Sequence, residues 1–146
     1  MVSEDDHAVY RTHWRVRVYE LDANGHVNNA VYLNYAEQVA IEHAEALGVG
    51  RGWTAQHNAT WVVRRHEILF RHPAAYGDDL ELTTRLESLK GASGVRRTTI
   101  IRASDRQSIA EVTTQWVWVR LSDNRPTRLP RQARAVFQML EASQES

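Results

Sequence analysis

One long helix followed by nothing but strands is the arrangement that most limits how this chain can fold. Across residues 29–47 the apolar positions keep a helical period. Val31, Tyr35, Val39 and Leu47 form one stripe, with Tyr32, Ala36, Ala40, Ile41 and Ala44 beside it. So wide an apolar arc belongs to a helix buried on most of its surface. Asn28 or Asn29 can cap its start and Gly48 can close its end. Residues 12–20 alternate as a strand ahead of the helix, and residues 60–71, 79–89, 95–103 and 108–121 alternate after it, joined by short turn-forming segments. In the last of these, Trp116 and Trp118 share one face and Val117 and Val119 the other, so both faces call for cover. Pro130 then opens a short C-terminal helix with Ala133, Val136, Phe137 and Leu140 as its buried stripe. The simplest packing is α+β: one antiparallel sheet wrapped around the long central helix, with residues 1–146 as a single domain. Such a sheet leaves an edge and an outer face unfinished, which predicts a homodimer or homotetramer.

The bulk chemistry removes several classes of function. Eighteen basic residues balance eighteen acidic ones, which gives no basis for nucleic-acid binding. There is no cysteine, hence no disulfide, zinc–thiolate site or cysteine nucleophile, and a reducing, cytoplasmic setting is expected. The acidic start of the chain lacks the apolar core of a secretory signal, and no window is apolar enough to cross a membrane. The seven histidines show no metal-ligand spacing, and no nucleotide-binding glycine motif or G-x-S-x-G elbow occurs. Neither a cofactor nor a metal is expected.

Chemistry concentrates where the first strand meets the helix, in Asp22-Ala23-Asn24-Gly25-His26-Val27-Asn28-Asn29. One carboxylate, one imidazole and three carboxamides lead into a helix N-terminus, where backbone N–H groups and the helix dipole favour negative charge. These are the parts that carbonyl chemistry needs: a fixed base or nucleophile and donors for a developing oxyanion. Taken alone, Asp22 reads as a turn or cap residue and Asn24-Gly25 as a hairpin turn, but the helical period that follows argues against a plain hairpin. His26 either orients Asp22 or a water, or is structural; Asn24 has the same two readings. Asn28 suits a helix cap, and Tyr32 a pocket wall.

Asp22-x-x-Gly25-x-Val27-x-x-x-x-Tyr32-x-x-Tyr35 resembles the strand-to-helix signature of the hot-dog-fold acyl thioesterases, the group of the bacterial hydroxybenzoyl-CoA and acyl-CoA thioesterases. Pro73-Ala74-x-x-Gly77-Asp78 and the Leu129-Pro130 step into a terminal helix are similar to family features and fall in the right order. Asp22-x-Asn24-x-His26-Val27-Asn28-Asn29 also resembles the site motif of plant acyl-carrier-protein thioesterases, although this chain holds one hot-dog unit rather than two. The resemblance implies hydrolysis of an acyl-CoA, with Asp22 as general base or nucleophile, the amide of Asn29 as oxyanion donor, and Asn24 and His26 as catalytic candidates. Gly25, Val27, Tyr32 and Tyr35 would contact substrate, at a site built on a dimer interface. An acyl-carrier protein is a possible alternative carrier, and a non-catalytic acyl-ligand-binding protein the alternative function.

Three further features stand outside that motif. Glu37 lies on the central helix, where another hot-dog clade places its acid, although helix glutamates are usually solvated. Arg125, Arg128, Arg131 and Arg134 recur at three-residue spacing and could meet coenzyme A phosphates, as could the turn at residues 90–93; an ordinary solvated face is the plainer reading. Arg96 and Arg97 are neighbours in a strand, so they point to opposite faces.

Overall fold

The computed structural model describes residues 8–145; the acidic start of the chain, residues 1–7, lies outside the described residues. Strand β1 (Val9–Arg15) leads through a single 3-10 turn (Val18–Glu20) and an irregular loop to helix α1 (Val31–Ala46). A one-turn helix α2 (Arg51–Thr54) precedes β2 (Ala59–Phe70), β3 (Asp79–Lys90), β4 (Ser93–Arg102) and β5 (Ser108–Arg120), and helix α3 (Arg131–Glu145) follows. The five strands form one antiparallel sheet in the order β1-β3-β4-β5-β2. This is the hot-dog arrangement, and its strand boundaries from β2 onward fall within two residues of those read from alternation.

Alternation decides which face is buried. Leu80, Leu82, Thr84 and Leu86 of β3 and Arg96, Thr98 and Ile100 of β4 all point inward. One core joins Tyr32, Tyr35 and Val39 of α1 to Leu80, Leu82, Ile100 and Ile109; a second joins Leu86 and Trp118 to Ala133, Phe137 and Leu140 of α3. The two helices therefore share one face of the sheet. Gly48 closes α1 as expected. At φ +79° it donates to Glu45 O, and Val49 donates back to Ala44 O, which satisfies the last carbonyls of the helix.

Three expectations shift. The first strand ends at Arg15 rather than running to residue 20: the turn that follows puts Val18 in solvent, 67% exposed, and buries Glu20. Neither asparagine side chain caps the first turn of α1 directly. Asn28 instead closes a turn just before it, accepting from Ala30 N through Oδ1 (2.9 Å) and from Val31 N through its carbonyl (2.9 Å). Val117, Trp118 and Val119 are already buried within one chain, so their hydrophobicity does not itself require a partner. What stands unfinished are the two outer edges of the sheet, β1 and β2, and on β2 Val62, Leu69 and Phe70 are exposed. Among the described residues no helix is long and apolar enough to cross a membrane.

Candidate active site

The loop before α1 is built around one carboxylate oxygen. Asp22 Oδ1 accepts from the backbone N–H groups of Asn24 (2.8 Å) and His26 (3.2 Å), while Asp22 N donates to His26 O (2.7 Å). Gly25 holds the turn at φ +78°, a conformation that a side chain would strain. The loop is anchored on both sides: Val27 N donates to Ala74 O (2.8 Å) and Asn28 N to Glu20 O (2.9 Å). The turn at residues 73–78 is fixed in its own right, with Ala75 N on Asp78 Oδ2 (2.9 Å) and Arg102 Nη1 on the same oxygen (3.2 Å). The similarity of Pro73 to Asp78 to a family segment thus has a physical counterpart, since this turn buttresses the Asp22 loop.

Among the groups that these contacts leave unused are a carboxylate oxygen and a backbone N–H. Asp22 Oδ2 has no partner among the described residues. Around the start of α1, Asn28 N, Ala30 N and Val31 N are all engaged, and the N–H of Asn29 is not. Asp22 and Asn29 line one cleft of about 220 Å³, together with His26, Val27 and Tyr32. Its opposite wall is Phe70, Arg71, His72 and Pro73, from the end of β2. Sequence reasoning missed that wall, because no local signal says that β2 ends beside the Asp22 loop. Arg71 is held by Glu111 (2.8 Å), and His72 Nδ1 lies 3.0 Å from Ser108 O.

The remaining candidates separate by position. His26 lines the cleft, while Asn24 sits exposed on the turn and is not part of the lining. Tyr32 is buried in the cleft wall, and its hydroxyl accepts from Ala74 N (3.3 Å). Burial foremost raises the pKa of that hydroxyl; the Ala74 N–H works against the rise and the Asp22 charge adds to it. Tyr35 lies in the core, edge-on to Trp14 and Tyr32, and is not part of the lining. Burial, and after it the nearby Glu20 carboxylate, raises its pKa further, so neither tyrosine is an acid at neutral pH.

Glu37 points elsewhere: its Oε1 lies 3.2 Å from His66 Nε2 of β2, and His66 Nδ1 lies 2.9 Å from Thr114 Oγ1. Arg128 and Arg134 face a cleft with Gly91 and Ala92 at the far end of β3. At about 3.3 Å per residue that is roughly 36 Å from the Asp79 end of the strand, so they cannot touch a thioester held at their own chain's Asp22.

The chain matches the family model described as the Thioesterase-like superfamily over residues 16–137. It is 29% identical to the long-chain acyl-CoA thioesterase FadM of Escherichia coli, across 89% of this chain and 98% of that protein. It is 30% identical to the chloroplastic acyl-acyl carrier protein thioesterase ATL3 of Arabidopsis thaliana, covering 84% of this chain and 64% of that longer protein. Among solved structures, YbaW of Escherichia coli, a probable thioesterase, superposes with a TM-score of 0.74 at 30% identity, over 89% of this chain and 97% of that one. A 1,4-dihydroxy-2-naphthoyl-CoA thioesterase from Synechocystis, with a TM-score of 0.82 at 16% identity, covers 89% of this chain and 96% of that one and shows likeness of fold. A sheet wrapped around one helix, the Asp22 loop at that helix's start and a match across most of the length agree: the chain belongs to the Thioesterase-like superfamily, the hot-dog-fold thioesterases.

Proposed function

We propose that this thioesterase hydrolyses acyl-CoA, with Asp22 as the reacting carboxylate and the Asn29 amide as oxyanion donor. One observation carries the reading: Asp22, whose Oδ2 is unengaged among the described residues, and Asn29, whose N–H is also unengaged among them, line the same cleft. A thioester carbonyl oxygen on Asn29 N–H would build its negative charge at the positive end of the helix dipole. Asp22 Oδ2 then either attacks the carbonyl carbon, expelling the coenzyme A thiolate and leaving an acyl anhydride for water to open, or takes a proton from a water that attacks. Both routes end in a carboxylic acid and coenzyme A. Oδ1 keeps the loop shaped while Oδ2 reacts, so one residue serves both tasks. His26, which lines the same cleft, would orient the attacking water; Asn24 acts on the turn rather than on substrate.

Acyl-CoA is favoured over acyl-carrier protein because the similarity to FadM spans nearly the whole of that protein, whereas ATL3 extends well beyond the match. The free edge of β2, with its exposed Val62, Leu69 and Phe70, supports pairing of two copies edge to edge; a sedimenting mass equal to one chain would remove that part of the proposal. The lack of cysteine fits a cytoplasmic location.

The test is thiol release from a panel of aliphatic and aryl acyl-CoAs by the native protein and Asp22→Asn. Asparagine keeps the Oδ1 acceptor, so the loop stays folded and turnover falls by about a thousandfold or more. Full activity in Asp22→Asn would move the chemistry elsewhere. Acyl-CoA binding without release by the native protein would favour the non-catalytic reading, and release only from acyl-carrier protein would change the carrier.

A further inference from the structure

A second, smaller space of about 70 Å³ lies where α1, α3 and the sheet meet. Ile41 and Ala44 of α1, Trp61 of β2, Leu86 of β3, Trp116 of β5 and Phe137 of α3 make its wall apolar. Arg96 of β4 is the exception. Its register partners are Leu86 and Thr114, and it is only 6% exposed. Among the described residues no carboxylate pairs with it; Nη1 donates to Nδ1 of the buried His43 (2.9 Å). Burial pushes the guanidinium down to about 10, which leaves it charged at neutral pH. Trp116, which lines the same wall, has an indole N–H that is buried without a partner among the described residues.

A guanidinium with five N–H donors, set in apolar surroundings and bonded to one imidazole nitrogen, is an unbalanced charge. An oxygen anion restores the balance, and a carboxylate fits the planar fork of arginine bidentately. The rest of the wall suits methylene groups. We propose that this cavity binds the carboxylate end of an apolar chain, seated on Arg96 with its methylenes against Trp61, Trp116 and Phe137. Ile41, Ala44, Trp61 and Trp116 also line a neighbouring cleft of about 170 Å³, together with Arg51, Thr54 and Thr60.

Two sources supply that chemistry. One is a distal carboxylate on the substrate's own acyl group, since Ala40 of the cavity lies roughly 12 Å along α1 from Tyr32 of the Asp22 cleft. The other is the free acid that hydrolysis releases. The first rests on the hydrolase reading above; the binding itself does not.

Trp61 and Trp116 give a direct readout. Decanoate and decanol are titrated against the full chain by tryptophan fluorescence, in the native protein, Arg96→Lys and Arg96→Met. The proposal expects decanoate to bind about tenfold or more tightly than decanol, with the advantage reduced in Arg96→Lys and gone in Arg96→Met. Equal affinity for the two, or no binding of decanoate, overturns it, and the native comparison decides this even if a variant fails to fold. Turnover then separates the sources. Sebacoyl-CoA preferred over decanoyl-CoA by about tenfold, with the preference lost in Arg96→Met, assigns the carboxylate to the substrate. Equal turnover of the two assigns it to a separately bound acid. If neither thioester is cleaved, a distal carboxylate on a ten-carbon acyl-CoA is ruled out as the source, while the decanoate titration still stands on its own.

Discussion

Glu20 and Arg96 carry opposite charges and are buried to nearly the same degree, 5% and 6% exposed, yet the fold treats them in opposite ways. Glu20 is fully answered. Its Oε1 accepts from Arg17 N (2.8 Å) and its Oε2 from Arg17 Nη2 (3.1 Å), and its own carbonyl holds Asn28 N in place. Arg96 has one imidazole nitrogen of His43 and an apolar cavity. A buried charge with its partners in place fixes structure; one without them is a cost that something outside the chain can relieve. Glu20 lies next to the Asp22 loop and anchors it through its carbonyl, so on this reading it is a structural residue. Arg96 lies away from that loop and is the one that looks outward for a ligand.

The two should therefore respond to neutralisation with opposite signs. Glu20→Gln removes charge-assisted hydrogen bonds from a buried site and should lower stability by about 2 kcal/mol, read as a reduced urea midpoint with an unchanged slope. Arg96→Met removes an unbalanced charge and keeps the bulk, so it should raise stability at neutral pH by about 1 kcal/mol or more. Destabilisation by Arg96→Met would mean that its bond to His43 is worth more than the burial costs. The pH dependence has a definite direction. Burial pushes the folded guanidinium down to about 10 from its ordinary, higher value, so between the two the unfolded chain holds more protons and native stability rises with pH. The penalty is complete below about 10, and the gap between native protein and Arg96→Met should close only above it.

How much of this was legible in the sequence follows from the range of the interactions involved. The helical period of α1 and the alternation of β2 to β5 are local, and both are found where they were read. The polar run was legible too, because Asp22, His26 and Asn29 reach one cleft through contacts made within eight residues. Glu20 was not: alternation from Trp14 places Val18 and Glu20 on one face, and hydrogen bonding inside the 3-10 turn overrides it, exposing Val18 and burying Glu20. Phe70, Arg71 and His72 were not legible either, since only the sheet order brings the end of β2 beside the Asp22 loop. Arg96 stands between. Alternation requires that one of Arg96 and Arg97 point inward, and the parity of Thr98 and Ile100 selects Arg96, but the cavity beside it depends on where α3 lands.

The smallest expected effect bears most directly on what makes Glu20 a satisfied charge. Two groups of one residue serve it: the Arg17 backbone N–H and the Arg17 guanidinium. Arg17→Ala removes the second and keeps the first. The Arg17 side chain is 43% exposed, so water and salt already screen its attraction. Its guanidinium also lies over Trp14, 5.8 Å from the ring centroid, and over Tyr19 at 6.0 Å, weak contacts at an exposed site. The expected loss is below about 1 kcal/mol, and it should shrink in high salt. A loss equal to that of Glu20→Gln would place the stabilisation in the ion pair. A small loss places it in the backbone N–H, which any residue except proline supplies at position 17. The geometry favours the second outcome, because the backbone bond is the shorter. Arg96 has no such backbone donor to fall back on, nor could one help it: a cation needs an acceptor, and the side chains around its cavity are apolar.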